Sequence, residues 1–535
     1  MITFLKRLWF GEITGLTSAA FFIALAQILS NGMGLIRDHL LAGTFGAGHQ
    51  LDAYYAAFRL PDFLYSLIIL GAFTAGFIPV FTEYLKTHGK EKASELTQQV
   101  LSIITYALIV ACGVLAFFAP QIVPRMTPGF DAATMRLTIT LSRILFLSPI
   151  LLGISTVMGG VLQSMRRMFV FAFAPLLYNA GIIFGILVLS PHFGMMGVAW
   201  GVILGALFHL LVQWSVAGRL MSWRFVIPSF ASEGVRRMFR LMIPRTVALA
   251  VSQINLVVLL ALASSLEAGS VAVFNLANNI QSVPLSVIGL SFALAAFPIL
   301  SRSAGAQDEQ TFGREVVRAA QRIVFFVLPL MALFILLRVE IVAVILGDGK
   351  FSPQDTLRTA TVVAWFSFSL LAQSLVPLLA RAFYAIQDTW TPFIISVICE
   401  LVNLGLALLL RPHFHIMGLA MSFSAAAMVN LLLLWIFLRR KRRLATGFFL
   451  RSLGKTLVAT CVMSLVVFVL HSPVWMIISN SSLLRYHVWW SLLTSTGIVC
   501  IVGALAFCFV AWLIKSEEFE GWRVAIAQRF FKHQF

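Results

Sequence analysis

Apolar runs recur from about residue 14 to about residue 514, with short polar stretches between them. A helix needs about 20 mostly apolar residues to cross roughly 30 Å of hydrocarbon. The pattern predicts fourteen helices, at 14–36, 52–83, 94–119, 134–162, 168–190, 195–218, 238–266, 270–300, 315–337, 357–384, 391–410, 415–438, 452–471 and 486–514. The second run is too long for one straight span, and Pro61, Gly71, Gly76 and Pro79 mark it for a bend or a break. The expected fold is an all-α membrane protein with fourteen transmembrane helices.

An internal repeat organises these helices. "SPHFGMMGVAWGVILGALFHLLVQW" begins at Ser190 and "RPHFHIMGLAMSFSAAAMVNLLLLW" at Arg411. Pro-His-Phe, the later Met-Gly, and the closing Trp214 and Trp435 match at one offset. "AFTAGFIPVF" at 72–81 resembles "SFALAAFPIL" at 291–300, pairing Phe73 with Phe292 and Pro79 with Pro298. Two pseudo-symmetric six-helix lobes are implied, at 1–220 and 221–440, with their seams in the loops 219–236 and 439–451. Two added helices fill 441–515 and a cytoplasmic tail follows at 516–535. An even number of helices per lobe gives both the same orientation, related by an axis along the membrane normal. Lobes that rock about a shared centre suit alternating access.

Composition agrees with a membrane protein: 60% of residues are hydrophobic, 11% are charged and the mean hydropathy is +0.94. The net charge of +18 invites a nucleic-acid partner, but its distribution does not. Most Lys and Arg fall at the N-terminus, in alternate loops and in the tail, "RRKRR" at 439–443 among them. This positive-inside pattern puts both termini in the cytoplasm, with anionic lipid headgroups as the natural neighbours of the basic loops and no nucleic acid. "MITFLKRLWFGE" reads as a cytoplasmic lead-in to the first helix rather than a cleaved leader. The cysteines Cys112, Cys399, Cys461, Cys500 and Cys508 all lie in apolar runs, without CxxC spacing, and predict neither disulfides nor a metal site. No Walker A, GxSxG or HExxH string occurs. The expectation is a transporter and not an enzyme, with no cofactor. Active transport would draw on a coupling ion, the membrane potential or substrate supply.

Ionisable groups within spans are costly and usually face a cavity or a partner. The densest group lies in "LIRDHLLAGTFGAGHQLDAYYAAFRLPDF" at 35–63, with Arg37, Asp38, Asp52, Arg59 and Asp62. Asp52 and Arg59 stand two turns apart on one helix face. The eighth helix, repeat counterpart of the second, carries "NLANNIQS" with Asn275, Asn278, Asn279 and Gln281. A guanidinium donates two parallel hydrogen bonds to a phosphate. Arg37 and Arg59 could therefore hold an anion, with Asn278 and Asn279 as neutral donors. Equally, Arg37 could pair with Asp38 or Asp52, and Arg59 with Asp62, as structural ion pairs. Glu400, with Asn403 one turn on, is a candidate coupling or gating site or else a hydrogen-bonded structural residue; the repeat sets Asn179 opposite it. Arg245, Gln253 and Asn255 are further polar positions, and His209 reads as structural. Lys350, in "GDGKFSPQD", could meet anions outside the membrane or simply belong to a turn.

Several strings now matter together: the 35–63 stretch, "TPGF" at 127–130, "SQI" at 252–254, "GKF" at 349–351 and "RAFYAIQDTWTP" at 381–392. In this order they resemble the MurJ (MviN) family, lipid II flippases of the multidrug/oligosaccharidyl-lipid/polysaccharide exporter superfamily. The resemblance implies two lobes around a cationic cavity and an added helix pair forming a groove for an isoprenoid tail. It also implies passage of lipid II, or a related undecaprenyl-pyrophosphate-linked substrate, from the inner to the outer leaflet of the bacterial cytoplasmic membrane, by a monomer. Arg37, Asp38, Asp52 and Arg59 fall on family positions. The family's further cavity charges do not recur: arginines are expected at Asn31 and Tyr65, a glutamate at Leu70, and an Asp-Arg pair at Asn278 and Asn279. A pyrophosphate would then lean on Arg37. Two other readings share some of these features: a cation-coupled multidrug-type exporter centred on Asp52 and Glu400, and a flippase for another polyprenyl-linked saccharide. A polytopic glycosyltransferase would need a carboxylate cluster on a large loop, and the loops are short and poor in acids.

Overall fold

The structure is a computed structural model that describes Trp9 and residues 16–70, 73–306, 308–444, 446–479 and 488–531. The side chains of Leu70, Phe73 and Arg245 lie outside the described residues. Among those described there is no strand. Lipid offers backbone groups no water to bond, so helices that satisfy themselves internally are the expected outcome for these apolar runs. Each of the fourteen predicted runs is mostly helical where it is described, with breaks such as those at Phe146 and Phe368. Among the described residues, nine helices are long and apolar enough to cross a membrane, and the bent pair Pro353–Ser367 and Ser369–Ala385 would make a tenth. Trp390–Lys441, with 52 residues, covers two predicted runs. Straight, it would measure about 78 Å, more than twice the hydrocarbon thickness. It turns at His415, whose φ of 49° and ψ of −130° are not helical.

The chain forms two compact units, residues 1–272 with 349–351, and residues 273–348 with 352–535. The first thus takes in 221–272, beyond the predicted seam. The helix Glu233–Ser264 is the reason, since Met238 and Met242 join Phe77, Phe81, Leu101 and Val161 in one core. A second device in this unit is a glycine contact between Met168–Phe184, with its continuation, and Met195–Leu220. A Cβ on Gly181 would lie 2.2 Å from the Gly205 Cα, and one on Gly185 would lie 2.6 Å from the Gly201 Cα. Small residues let two backbones approach where lipid gives helices no hydrophobic reason to associate. The second unit packs Glu309–Leu336 against Ser369–Ala385 through Val324, Leu328, Leu375 and Phe383. The two C-terminal helices Thr446–Ser479 and Val488–Leu513 meet Phe325 through Met463, Val467 and Phe507.

The internal repeat extends to backbone irregularities. The register that aligns Pro79 with Pro298 also aligns the π-helical turns Ser66–Leu70 and Leu285–Leu290. The register that aligns the two Pro-His-Phe strings aligns His415 with Gly194, whose φ is 58° and ψ −140°. Three residues on, a Cβ on Gly197 would meet the Leu189 carbonyl at 2.5 Å, and one on Gly418 the Leu410 carbonyl at 2.8 Å. A side chain at positive φ costs roughly 1–3 kcal/mol that glycine escapes. His415→Gly should therefore stabilise the protein by about 1 kcal/mol after the added freedom of the unfolded chain is set against it. A higher unfolding temperature of the detergent-solubilised variant is the expected result; a lower one would mean that histidine contacts outweigh the strain.

Candidate functional site

Arg37 and Asp38 are neighbours on the first helix, Leu16–Phe45, and the guanidinium folds back onto the adjacent carboxylate. Its Nε donates to Asp38 Oδ1 at 3.0 Å and its Nη2 at 2.8 Å. Nη1 donates to Asn179 Oδ1 at 3.3 Å. Asn179 is itself oriented by donating from Nδ2 to Ser30 Oγ and the Pro175 carbonyl, both at 3.3 Å. The ion-pair reading of Arg37 is thus what the geometry contains, but it does not exhaust the group. A guanidinium has five N–H donors, so two remain after these three bonds. The Arg37 side chain is 23% exposed and that of Asp38 4%. The carboxylate is sealed while the Arg37 side chain keeps some accessible surface.

Around this pair the first unit gathers polar groups that share electrostatic contact. Arg37 acts on Tyr54, Tyr55 and Tyr178. Asp62 lies in the field of both Arg59 and Arg37, and its side chain is exposed. Tyr65 reaches Thr156, and Tyr178 reaches Ser148. Arg59 is partly buried, with its Nε shielded from solvent. Asn31 accepts from Gln27 Nε2 at 3.0 Å on the first helix. Sequence reasoning counted Asp62 among these charges, passed over Tyr178, and set Asn179 opposite Glu400 rather than beside Arg37. The available signal was an acid, a phenol and an amide in otherwise apolar helices, which names candidates but not their meeting point.

Asp52 does something else. It sits in the first turn of His49–Tyr65, 3% exposed, and accepts from the Gly269 N–H at 2.6 Å and the Ala272 N–H at 2.7 Å. Both oxygens serve the opening turn of Ser270–Pro284, whose first N–H groups lack intrahelical partners. The expectation that Asp52 meets a headgroup therefore gives way to a capping role. The other family-like strings close around the same place. Lys350 N–H donates to the Gly43 carbonyl at 2.7 Å. Gly269 has φ of +86°, and a Cβ there would lie 2.0 Å from the Ala47 carbonyl. Gly129 of "TPGF" lies against Ser264, where a Cβ would meet the carbonyl at 2.3 Å. The Lys350 side chain is exposed, and its loop is tied down by backbone.

In the second unit Asn278 accepts from Gln281 Nε2 at 3.0 Å. Gln281 Oε1 accepts from Ser369 and Gln373, each at 3.3 Å, a network the sequence did not announce. The Asn279 carbonyl accepts from Ser282 Oγ at 2.7 Å. Glu400 is half-buried; Asn403 is 2% exposed, and its Oδ1 has no hydrogen bond among the described residues. His209 is hydrogen-bonded to Ser155 at 2.8 Å, as a structural histidine would be. Asn255 is buried. Among the described residues no His, Cys, Asp and Glu cluster has metal-binding geometry. "RAFYAIQDTWTP" also has a structural role. Asp388 accepts from the Thr391 N–H at 3.0 Å and from Thr391 Oγ1 at 2.6 Å, and it pairs with Lys441 of the basic run. Partial burial pushes its carboxyl up, but these bonds outweigh burial and hold it down to about 2.

Comparison with known proteins follows this geometry. The family model described as "Lipid II flippase MurJ" matches residues 41–488. "Probable lipid II flippase MurJ" of Rhizobium tropici is 29% identical over 510 residues, covering 92% of this chain and 93% of that protein. The protein of the same name from Rhizobium meliloti (strain 1021) is 30% identical over 421 residues, covering 77% and 78%. "Lipid II flippase MurJ" of Burkholderia cenocepacia is 28% identical over 423 residues, covering 77% and 82%. Among solved structures, "Lipid II flippase MurJ, inward closed conformation" superposes with a TM-score of 0.74 at 22% identity, covering 91% of this chain and 98% of that one. An inward-facing multidrug resistance MATE family transporter of the MOP superfamily reaches 0.66 at 15% identity, covering 77% and 94%.

Proposed function

Since this chain belongs to the lipid II flippase MurJ family, we propose that it carries the headgroup of lipid II from the inner to the outer leaflet of the bacterial cytoplasmic membrane by alternating access, as a monomer with both termini in the cytoplasm. The observation that carries the site assignment is the Arg37 guanidinium, fixed by Asp38 and Asn179, partly exposed, with two N–H donors uncommitted. Those donors suit a pyrophosphate oxygen, because a charge-assisted hydrogen bond is roughly twice as strong as a neutral one. Asn31, Asp62 and the tyrosines around them offer hydrogen bonds to sugar and peptide groups. Each polar group taken bare into hydrocarbon costs several kcal/mol, and a polar lining removes most of that cost while the tail stays in lipid. The step needs no covalent chemistry. Its energy would come from an ion gradient, the membrane potential or consumption of the product outside. Glu400 and Asn403 are the candidates for coupling or gating.

Depletion of the protein in a host without another lipid II flippase tests this. Lipid II on the outer leaflet should fall and precursor should build up inside; an unchanged surface pool would reject the assignment.

A further inference from the structure

The second unit holds a cleft that the transport reading does not use. A cleft of about 780 Å³ opens between the N-terminal turns of Glu309–Leu336, the residues Arg443, Leu444 and Phe448, and Glu517. A second cavity of about 370 Å³ shares Arg318, Gln321 and Glu517 with it and continues to Trp522. A small third one extends it to Arg451 and Lys455. Arg314, Arg318 and Arg322 are spaced four residues apart, so they line one side of their helix. Arg443, Arg451 and Lys455 form the facing wall. The backbone of this wall is held close because residue 313 is glycine: a Cβ there would lie 2.0 Å from the Arg443 carbonyl.

The cleft has six cationic groups against three carboxylates, Glu309, Glu517 and Glu518. Glu309 pairs with Arg442 at 2.7 Å. Glu518 accepts from Ser452 Oγ and Ser516 Oγ. Among the described residues, no hydrogen bond or ion pair holds the side chain of Arg314, Arg322, Arg443 or Arg451. Guanidiniums that outnumber the carboxylates around them, on both walls of a cleft, suit a phosphate. Phe448, 65% exposed, and Trp522, 44% exposed, line the same space and suit headgroup depth in a bilayer. By the positive-inside rule these basic segments belong at the cytoplasmic surface, where anionic lipids collect.

We propose that this cleft binds the phosphodiester headgroup of an anionic phospholipid of the surrounding membrane, fastening the terminal helix Glu517–Phe531 and the two C-terminal membrane helices to the inner leaflet. The site is separate from the transport site, and its occupant is a resident lipid. The test uses the full-length protein in neutral detergent, titrated with phosphatidylglycerol, phosphatidylcholine or sn-glycerol 3-phosphate, with unfolding temperature and native mass spectrometry as readouts. Phosphatidylglycerol should raise the unfolding temperature saturably and appear as a bound adduct. Phosphatidylcholine and glycerol phosphate should do neither at matched concentration. The combined variant R314Q/R443Q/R451Q should weaken phosphatidylglycerol binding at least tenfold. If that variant does not survive purification, R322Q/K455Q, at the exposed ends of the cleft, should weaken it at least threefold. The double variant R37A/D38N should bind phosphatidylglycerol as the parent does, whatever becomes of transport. Unchanged affinity in the cleft variants, or equal stabilisation by phosphatidylcholine, would overturn the proposal. An equal response to glycerol phosphate would replace the lipid by a free anion and overturn it too.

Discussion

Arg37→Ala should lower the appearance of lipid II on the outer leaflet at least tenfold. Two uncommitted guanidinium donors disappear, and hydrogen bonds to charged groups contribute about 1.5–3 kcal/mol each. A second effect must be separated from this one. Asp38 is nearly sealed, and removal of Arg37 takes away the guanidinium that pairs with its carboxylate. Breaking a buried pair in this way typically costs about 3–5 kcal/mol, enough to deplete the protein by unfolding alone. The double variant R37A/D38N removes that carboxylate charge. If Arg37 meets the headgroup, the double variant should fold at near-parental abundance and still fail to transport. Recovery of transport in the double variant would reduce Arg37 to a partner for Asp38. Arg37→Lys should fall between, since an ammonium keeps the charge but not the planar fork.

A comparably large loss of stability is expected from Asp52→Ala. The change leaves the N–H groups of Gly269 and Ala272 without their acceptors in a place closed to water. An orphaned buried donor costs about 1–3 kcal/mol, so the pair amounts to about 2–6 kcal/mol. Asp52→Asn keeps one acceptor oxygen and should lose about half as much. Unfolding temperature in detergent and steady-state abundance report the difference. A stable Asp52→Ala protein with impaired transport would reverse the assignment and return Asp52 to the headgroup site.

The helices were legible because lipid leaves an apolar run few alternatives. The repeat was legible because Pro-His-Phe and its partners recur at one offset, and the backbone turns at Gly194 and His415 follow that offset. The site was legible only in part. Charge in an apolar helix announces a role, and Arg37, Asp38 and Arg59 became candidates that way. Asp52 carries the same announcement but spends both oxygens on a helix end 217 residues away, at Gly269. Local spacing contains nothing about such a partner. Gln281, Ser369 and Gln373 were missed as a network for the same reason, since their hydrogen bonds join two helices far apart in sequence.

The wide turn Leu285–Leu290 changes what a helical wheel can say about its own helix. Residues 18 apart complete about five α turns and should point the same way. Across this turn they do not behave alike: Gln281 is 1% exposed while Ile299 is 47% exposed, and Ser282 is exposed while Leu300 is fully buried. A π turn takes in one residue more than an α turn, a phase slip of roughly 100°. The helix therefore turns its amide-bearing stripe one way before the slip and its apolar stripe another way after it. Any alignment of faces carried straight through residue 287 would assign polar and apolar sides to the wrong neighbours.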